Sequence, residues 1–172
     1  IDPIESIDCV DSTDSTNPTN SIDPKNPIDP IDSTNPTNSM DSKTVLITGG
    51  CGFIGSHFVR LVLRERPDWR VINVDKLTYA GNLENLADVA QQHEASAYRF
   101  VRADIADPQE INALFDSERI EAVVNLAAET HVDRSLLDSA PFLRTNIEGT
   151  RVLLEAATRH KVARFVQVST DE

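Results

Sequence analysis

Three glycines in the middle of the chain are spaced so that they could hold a phosphate group. Gly49, Gly52 and Gly55 follow the apolar run 45–48 and precede a stretch with the apolar spacing of a helix. A strand, a glycine-rich turn and a helix in this order form a dinucleotide-binding unit, in which backbone N–H groups at the helix N-terminus face the pyrophosphate. The Gly-x-x-Gly-x-x-Gly spacing differs from the commoner Gly-x-Gly-x-x-Gly, so the assignment needs support from other residues.

A carboxylate stands at the distance that such a unit requires. Asp75 closes the next apolar run, 70–74, and lies twenty residues after Gly55. A carboxylate at this point accepts hydrogen bonds from the hydroxyls of the adenosine ribose. Because the same charge repels the 2′-phosphate of NADP, NAD is the predicted cofactor, while the neighbouring Lys76 leaves NADP as an alternative. The other interpretation of Asp75 is a plain turn residue at a strand end.

The elements that must position these residues alternate between strands and helices. From Met40 onward, short β-rich runs are followed by helical stretches, which is typical of a parallel sheet with crossover helices. We predict strands at 44–48, 70–74, 98–103, 122–127 and 165–169, and helices at 54–66, 82–90, 108–118 and 139–160. The predicted fold class is α/β, a doubly wound parallel sheet of the Rossmann type. Ligands of such a sheet lie off the carboxyl ends of its strands.

The first 39 residues differ from the rest of the chain. They contain DSTNPTNS twice, at 14–21 and 32–39, and carry eight acidic residues against a single basic one, Lys25. Such a composition favours turns and buries too little apolar surface to offset chain entropy. We therefore predict a disordered low-complexity tail at 1–39, with Met40 as the natural start, and a cofactor-binding domain at 40–172.

Charge and composition argue against several classes of partner. The net charge of −12 disfavours nucleic acid and anionic membranes as partners. No apolar run approaches the roughly 20 residues of a membrane span, and the N-terminus has no secretory signal. Cys9 and Cys51 make no disulfide framework, which favours a reducing, cytoplasmic location. The histidines have no clustered partner, so no metal site is predicted.

Several motifs taken together point to one family. Residues 43–172 contain TGGCGFIGSHFVR, VDKLTYAGNLENL, ADI, NLAAETHVDRS, PFLRTNIEGT and VSTDE. These motifs resemble the extended short-chain dehydrogenases/reductases and, within that group, the dTDP-glucose 4,6-dehydratases; the final Thr-Asp-Glu distinguishes them from the related epimerases. The resemblance implies that NAD takes a hydride from C4 of a nucleotide sugar, dTDP-glucose. Water is then eliminated across C5–C6, and the hydride returns to C6 to give the 4-keto-6-deoxy sugar.

The resemblance also implies roles for individual residues. Asp171 is the acid and Glu172 the base of the elimination, roles that adjacent carboxyl groups can divide if their pKa values differ, and Thr170 and Thr130 contact the sugar. The implied cofactor contacts are Gly49, Gly52, Phe53, Ile54 and Gly55 at the pyrophosphate; Asp75, Lys76, Leu77 and Thr78 at the adenosine ribose; Asp104 and Ile105 at the adenine; Leu126, Ala127, Ala128 and Glu129 near the nicotinamide ribose; and Thr145 on the long helix.

One part of the family's machinery has no counterpart in this sequence. The family uses a tyrosine with a lysine four residues later, whereas Tyr79 is followed by Leu83 and Tyr98 by Arg102. We therefore expect an N-terminal fragment, incomplete at the C-terminal side of its sheet and without the substrate domain. Such a fragment is expected to be inactive alone, and the full-length enzyme to be a homodimer. The alternatives are a UDP-glucose 4,6-dehydratase, an NAD-dependent sugar epimerase or a non-catalytic NAD-binding module.

Overall fold

A single parallel sheet is the centre of the fold. The computed structural model describes residues 43–169, apart from the side chains of three residues within 132–135, so the predicted tail and the triplet 170–172 lie outside the described residues. The strands are β1 (Thr44–Thr48), β2 (Arg70–Asp75), β3 (Tyr98–Arg102), β4 (Ala122–Asn125) and β5 (Arg164–Gln167). Their order in the sheet is β3-β2-β1-β4-β5, with every pairing parallel.

Helices connect the strands and cover both faces of the sheet. They are α1 (Phe53–Glu65), α2 (Ala87–Gln92) after a 3₁₀ turn at Leu83–Leu86, α3 (Pro108–Ser117), α4 (Val132–Leu137), α5 (Ala140–Phe142) and α6 (Thr150–Arg159); a π-helical segment, Leu143–Gly149, joins the last two. Local chemistry sets the start of α3, because the Asp107 carboxylate accepts hydrogen bonds from the N–H groups of Gln109 and Glu110. Pro108 occupies the first turn, where no N–H is needed.

The strand β1 divides the core into two layers. Leu46 points to one face, where it packs with residues of α3 and α6 such as Ile111 and Leu153. Val45 and Ile47 point to the other face, towards Val59 and Leu63 of α1. Because β1 is buried on both faces, it reads as a continuous apolar run, as the central strand of a doubly wound sheet should.

The predicted α/β class and parallel sheet are confirmed. The differences lie at the strand ends, in the helix predicted at 82–90, which is a 3₁₀ turn followed by α2, and in the loop after β4. The strand β4 ends at Asn125, two residues earlier than predicted, because Gly49 turns the neighbouring strand away and the N–H of Ala127 donates instead to Oγ1 of Thr48 (3.3 Å). The helix α4 was not predicted. The long helix was predicted, but its π-helical middle was not.

Candidate functional site

A groove opens at the carboxyl ends of the strands, where the sheet order reverses between β1 and β4. Ligands bind at this point in doubly wound sheets. The groove encloses about 600 Å³ of space that is open to solvent. Its walls are formed by Gly49, Gly52, Val74, Asp75, Lys76, Thr78, Ala80, Gly81, Ala103, Asp104, Ile105, Leu126, Ala127, Ala128, Glu129 and Thr145.

The glycine turn forms the floor of the groove. Gly49 has φ +69°, and a Cβ at this position would lie 2.7 Å from the backbone nitrogen of Ala127, so only glycine fits. A Cβ on Gly55 would lie 2.1 Å from the carbonyl oxygen of Gly49, which explains the close approach of α1 to the turn. A Cβ on Gly52 would meet only that same carbonyl, at 3.3 Å, and would otherwise stand in the groove.

The first turn of α1 is directed at this floor and carries no side-chain cap. Gly52 is the N-cap and supplies no hydrogen-bonding side chain. The first N–H groups of a helix have no partner within the helix and attract anions. An open glycine beside an uncapped helix start fits a bound pyrophosphate, because the phosphate oxygens would accept from these N–H groups.

Asp75 joins the end of β2 to the glycine turn. Its Oδ2 accepts a hydrogen bond of 2.9 Å from the N–H of Cys51, and its Oδ1 accepts one of 2.8 Å from the N–H of Leu77. A Cβ on Gly81 would lie 2.8 Å from the same Oδ1. Each carboxylate oxygen keeps a further lone pair, so Asp75 can hold the turn in place and still accept from a ribose hydroxyl.

Cys51 is fully buried, and it is a centre of hydrogen bonding within the turn. Its carbonyl oxygen accepts from the N–H of Asn82 (3.1 Å) and from Nδ2 of Asn85 (2.8 Å). Its Sγ lies 3.6 Å from Nδ2 of Asn73, a buried side chain that also donates to the hydroxyl of Tyr98 (3.0 Å). Burial, followed by the nearby charge of Asp75, raises the pKa of the Cys51 thiol to about 11. This thiol is therefore a packing group.

Asn85 is in turn held by a residue of α1. Nη2 of Arg60 donates to the carbonyl oxygen of Asn85 (2.5 Å) and pairs with the carboxylate of Asp88 (2.6 Å). The loop between β2 and α2, which carries Thr78, Ala80 and Gly81 along the groove, is thereby pinned to both the glycine turn and α1. Arg60 lies in the motif TGGCGFIGSHFVR and Asn85 in VDKLTYAGNLENL, but neither was predicted to have a role in the site.

Three charged side chains meet at one end of the groove, beside the ends of β2 and β3. Oδ2 of Asp104 lies 2.8 Å from Nζ of Lys76 and 3.1 Å from Nη2 of Arg144. Oδ1 of Asp104 accepts from the N–H of Ala106 (3.0 Å). Burial works to raise the pKa of Asp104, but the hydrogen bonds from Lys76, Ala106 and Arg144 outweigh it and hold the pKa below its usual range.

The opposite wall depends on a side chain that the sequence analysis missed. Asn146, in the π-helical segment, accepts from the N–H of Glu129 (2.9 Å) and donates to its carbonyl oxygen (2.9 Å). This pair of bonds fixes the loop after β4, and the preceding residue, Thr145, lines the groove. π-Helical segments occur frequently at functional sites, because they move side chains out of regular helical register.

The structure gathers most of the predicted cofactor residues around this one groove. Those that line it are Gly49, Gly52, Asp75, Lys76, Thr78, Asp104, Ile105, Leu126, Ala127, Ala128, Glu129 and Thr145. Gly55 and Leu77 support it from behind, whereas the side chains of Phe53 (79% exposed) and Ile54 (65%) point to solvent. Thr130 is exposed and does not line the groove. Thr170, Asp171 and Glu172 lie outside the described residues, so their roles stay predictions.

The described part of the chain contains neither a group of metal-binding side chains nor a helix that could span a membrane. In residues 43–169, no three His, Cys, Asp or Glu side chains are grouped as they would be around a metal ion. None of the helices in that range is both long enough and apolar enough to cross a membrane.

Several known proteins resemble this chain over most of its described length. The family described as GDP-mannose 4,6 dehydratase matches residues 46–172. A dTDP-glucose 4,6-dehydratase from Streptomyces niveus is 51% identical over 132 residues, covering 74% of this chain and 38% of the relative. A human dTDP-D-glucose 4,6-dehydratase is 40% identical over 131 residues, covering 76% of this chain and 37% of the relative. The chain therefore spans about two fifths of the length of the curated relatives that it matches.

Solved structures give the same picture. A dTDP-glucose 4,6-dehydratase from Streptomyces venezuelae, solved with NAD bound, superposes with a TM-score of 0.68 at 46% identity, covering 75% of this chain and 40% of that one. A UDP-Glc/GlcNAc 4-epimerase from Campylobacter jejuni superposes with a TM-score of 0.69 at 30% identity, covering 76% and 38%. These two structures match the backbone about equally well, while the sequence identity is higher with the dehydratase of the pair.

Proposed function

The chain belongs to the GDP-mannose 4,6 dehydratase family, and we propose that it is the NAD-binding part of a dTDP-glucose 4,6-dehydratase. The observation that carries this proposal is the groove at the β1–β4 reversal. It combines an open glycine turn, an uncapped helix start and the Asp75 carboxylate on one surface. The relatives at about half identity carry the dehydratase name, and this favours dehydration over epimerisation.

The residues of the groove have separate tasks in this proposal. Gly52 leaves room for the pyrophosphate, and the N–H groups at the start of α1 receive its charge. Asp75 accepts from the adenosine ribose, and Asp104 and Ile105 border the adenine. The wall from Leu126 to Glu129, fixed by Asn146, faces the nicotinamide end. Bound NAD would supply the hydride acceptor for C4 and the hydride donor for C6 of the sugar.

The chemistry of elimination is assigned to the end of the chain. We propose that Asp171 gives a proton to the departing C6 hydroxyl and that Glu172 removes the C5 proton, with Thr170 and Thr130 on the sugar. Residues 170–172 begin three positions after the last residue of β5, Gln167, and Thr130 follows β4, which pairs with β5 in the sheet. Their position in the sequence therefore favours the carboxyl edge that carries the groove. The tyrosine and lysine that would act on the C4 hydroxyl have no counterpart here.

We further propose that the complete protein is a cytosolic homodimer with no nucleic-acid or membrane partner. Exposed apolar side chains lie along the π-helical segment and α6, at Leu143 (55%), Ile147 (63%) and Leu154 (45%). Such a stripe favours burial against another helix. The net charge of −12 supports the absence of nucleic-acid and anionic-membrane partners. Sedimentation of the complete protein as a monomer would contradict the dimer.

Calorimetric titration of the 172-residue chain with NAD tests the cofactor assignment. We expect weak but saturable binding, since ribose and pyrophosphate contacts are present in this chain. Binding of NADP without binding of NAD would overturn the assignment.

Turnover separates the remaining alternatives and is measured on the full product of the gene. A 4-keto-6-deoxy sugar formed from dTDP-glucose is the expected result. Product formed only from UDP-glucose would indicate the other dehydratase, and a C4-inverted product would indicate an epimerase. Binding of NAD without turnover would indicate a non-catalytic module.

A further inference from the structure

Lys76 follows Asp75, the proposed ribose contact, but its ammonium group forms an ion pair with Asp104. Nζ of Lys76 lies 2.8 Å from Oδ2 of Asp104, across the gap between the ends of β2 and β3. We propose that Asp104 determines the cofactor preference by holding Lys76 away from the site of a 2′-phosphate. This inference rests on the proposed function, and it adds a second determinant of NAD preference to the charge of Asp75.

Asp104 is the fixed member of the pair. Its side chain is only 15% exposed, its Oδ1 accepts from the N–H of Ala106, and its own N–H donates to Oε2 of Glu110 (2.8 Å). Arg144 also holds Oδ2, through Nη2 at 3.1 Å and Nε at 3.3 Å. The Lys76 side chain is 50% exposed, and Asp104 is its one ion-pair partner among the described residues. The position of the Asp104 carboxylate therefore determines where the Lys76 ammonium lies.

The consequence is an acidic groove with no uncommitted cation in its lining. Of the charged residues that line it, Asp75, Asp104 and Glu129 are negative, and Lys76 alone is positive. A 2′-phosphate carries up to two negative charges and would need a cation that is free to approach it. Lys76 could serve only by leaving Asp104 or by sharing its ammonium with it, and either would place a partly buried carboxylate beside the incoming phosphate. NAD requires no such exchange.

The ratio of the NADP and NAD dissociation constants isolates this effect. Asp104 is also a proposed adenine contact, and its substitution can weaken both dinucleotides, but such a loss cancels in the ratio. We expect Asp104→Asn to shift the ratio towards NADP by about fivefold, the upper range for releasing an exposed ion pair. In Asp104→Asn/Lys76→Met that gain should disappear. Lys76→Met alone should not shift the ratio towards NAD by more than about twofold, since the lysine is already engaged.

The measurement is calorimetric titration of the 172-residue chain with each dinucleotide. Asp116→Asn is the control, because it removes one negative charge from a side chain that is 71% exposed, lies 3.3 Å from Nε2 of His160 and does not line the groove. A large loss of NADP affinity in Lys76→Met, with NAD affinity kept, would show that Lys76 is already free and would overturn the inference. An unchanged ratio in Asp104→Asn would do so too.

The same titrations separate this inference from the proposed function. If the unsubstituted chain binds NAD and the ratios do not move, only the role of Asp104 is wrong. If the folded chain binds neither dinucleotide, the cofactor assignment is wrong and this inference is lost with it. Circular dichroism of each variant establishes that the chain is folded.

Discussion

The N–H of Cys51, in the glycine turn, donates a hydrogen bond of 2.9 Å to Oδ2 of Asp75, at the end of β2. The residue expected to read the ribose thus also holds the turn expected to bind the pyrophosphate. Asp75 makes a second such bond, to the N–H of Leu77. Two parts of the proposed cofactor site therefore depend on one carboxylate.

Substitution of Asp75 should affect stability and binding together. Asp75→Ala leaves the N–H groups of Cys51 and Leu77 without their acceptor, and we expect the free energy of unfolding to fall by about 1 to 3 kcal/mol. NAD affinity should fall by about tenfold or more, since a charge-assisted hydrogen bond to the ribose is lost as well. Urea denaturation and calorimetry measure the two effects. Full NAD affinity in a destabilised variant would limit Asp75 to a structural role.

Substitution of Gly50 should lower the stability of the fold, whereas substitution of Gly52 should lower the NAD affinity and leave the stability unchanged. A Cβ on Gly50 would lie 2.1 Å from Oδ1 of the buried Asn73, whose Nδ2 is held by Tyr98. We expect Gly50→Ala to lower the free energy of unfolding by about 1 to 3 kcal/mol, as overpacking does. Gly52→Ser puts a good N-cap at an extended backbone position, so stability should be kept while the added atoms obstruct the pyrophosphate.

Thermal unfolding and NAD titration of both variants test this contrast. A Gly52→Ser chain that unfolds early would show that Gly52 is required for the fold. Unchanged NAD affinity in Gly52→Ser would show that the pyrophosphate does not bind at the glycine turn.

The thiol of Cys51 should be inert in the folded chain. Its pKa of about 11 leaves about one thousandth of the group as thiolate at pH 8, and the side chain is fully buried. In Cys9→Ser, which has no other thiol, iodoacetamide should modify Cys51 much more slowly in the folded chain than after denaturation. The rate in the folded state should rise with pH, because the thiolate fraction rises. Rapid modification of the native chain at pH 8 would contradict this environment.

Asn85 should couple the loop after β2 to the glycine turn. Asn85→Ala removes the 2.8 Å bond to the carbonyl oxygen of Cys51 and leaves Asn82 as its other donor. We expect the free energy of unfolding to fall by about 1 kcal/mol and the NAD affinity to fall about fivefold, because the loop between β2 and α2 is less well fixed. Asn112→Ala is the control, since it removes a hydrogen bond of the same length to Arg159 on other helices. Equal losses of NAD affinity in both variants would contradict the coupling.

Glu118 should make the fold sensitive to acid. Its carboxylate, 11% exposed, pairs with Arg70 (2.5 Å) and with Arg99. Burial opposes ionisation, but the two arginines outweigh it and lower the pKa of Glu118. A group with a lowered folded pKa stabilises the fold above its unfolded pKa of about 4.3, and this stability is lost as the pH falls through the folded value.

Glu118→Gln tests this dependence by urea denaturation at pH 7 and pH 3.5. We expect the variant to be less stable than the unsubstituted chain by about 2 kcal/mol at pH 7 and by clearly less at pH 3.5. Glu121→Gln, which alters a looser 3.7 Å pair with Arg119, should show a smaller difference at both pH values. A constant difference for Glu118→Gln across this range would contradict the assigned shift.

Local patterns were sufficient to predict most of the regular elements, although not α4. The apolar run 44–48, the helical spacing from Ile54 and the Asp-Pro pair at 107–108 each depend on neighbours in sequence, and the structure has β1, α1 and α3 at these places. Errors lie where the partner is distant. The end of β4 depends on Thr48, and the π-helical segment carries Asn146, whose partner is Glu129.

The sequence by itself determined the order of strands and helices, the place of the glycine turn and the distance from that turn to Asp75. The periodicity of apolar residues and the effects of proline and glycine act over a few residues, so these features can be predicted without the tertiary structure. The tertiary structure alone decided that Asp104 engages Lys76, that Asn73 lies against Gly50, and that Asn85 and Asp75 both hold Cys51. These contacts join residues about 20 to 35 positions apart, and the packing of the parallel strands and their loops brings them together.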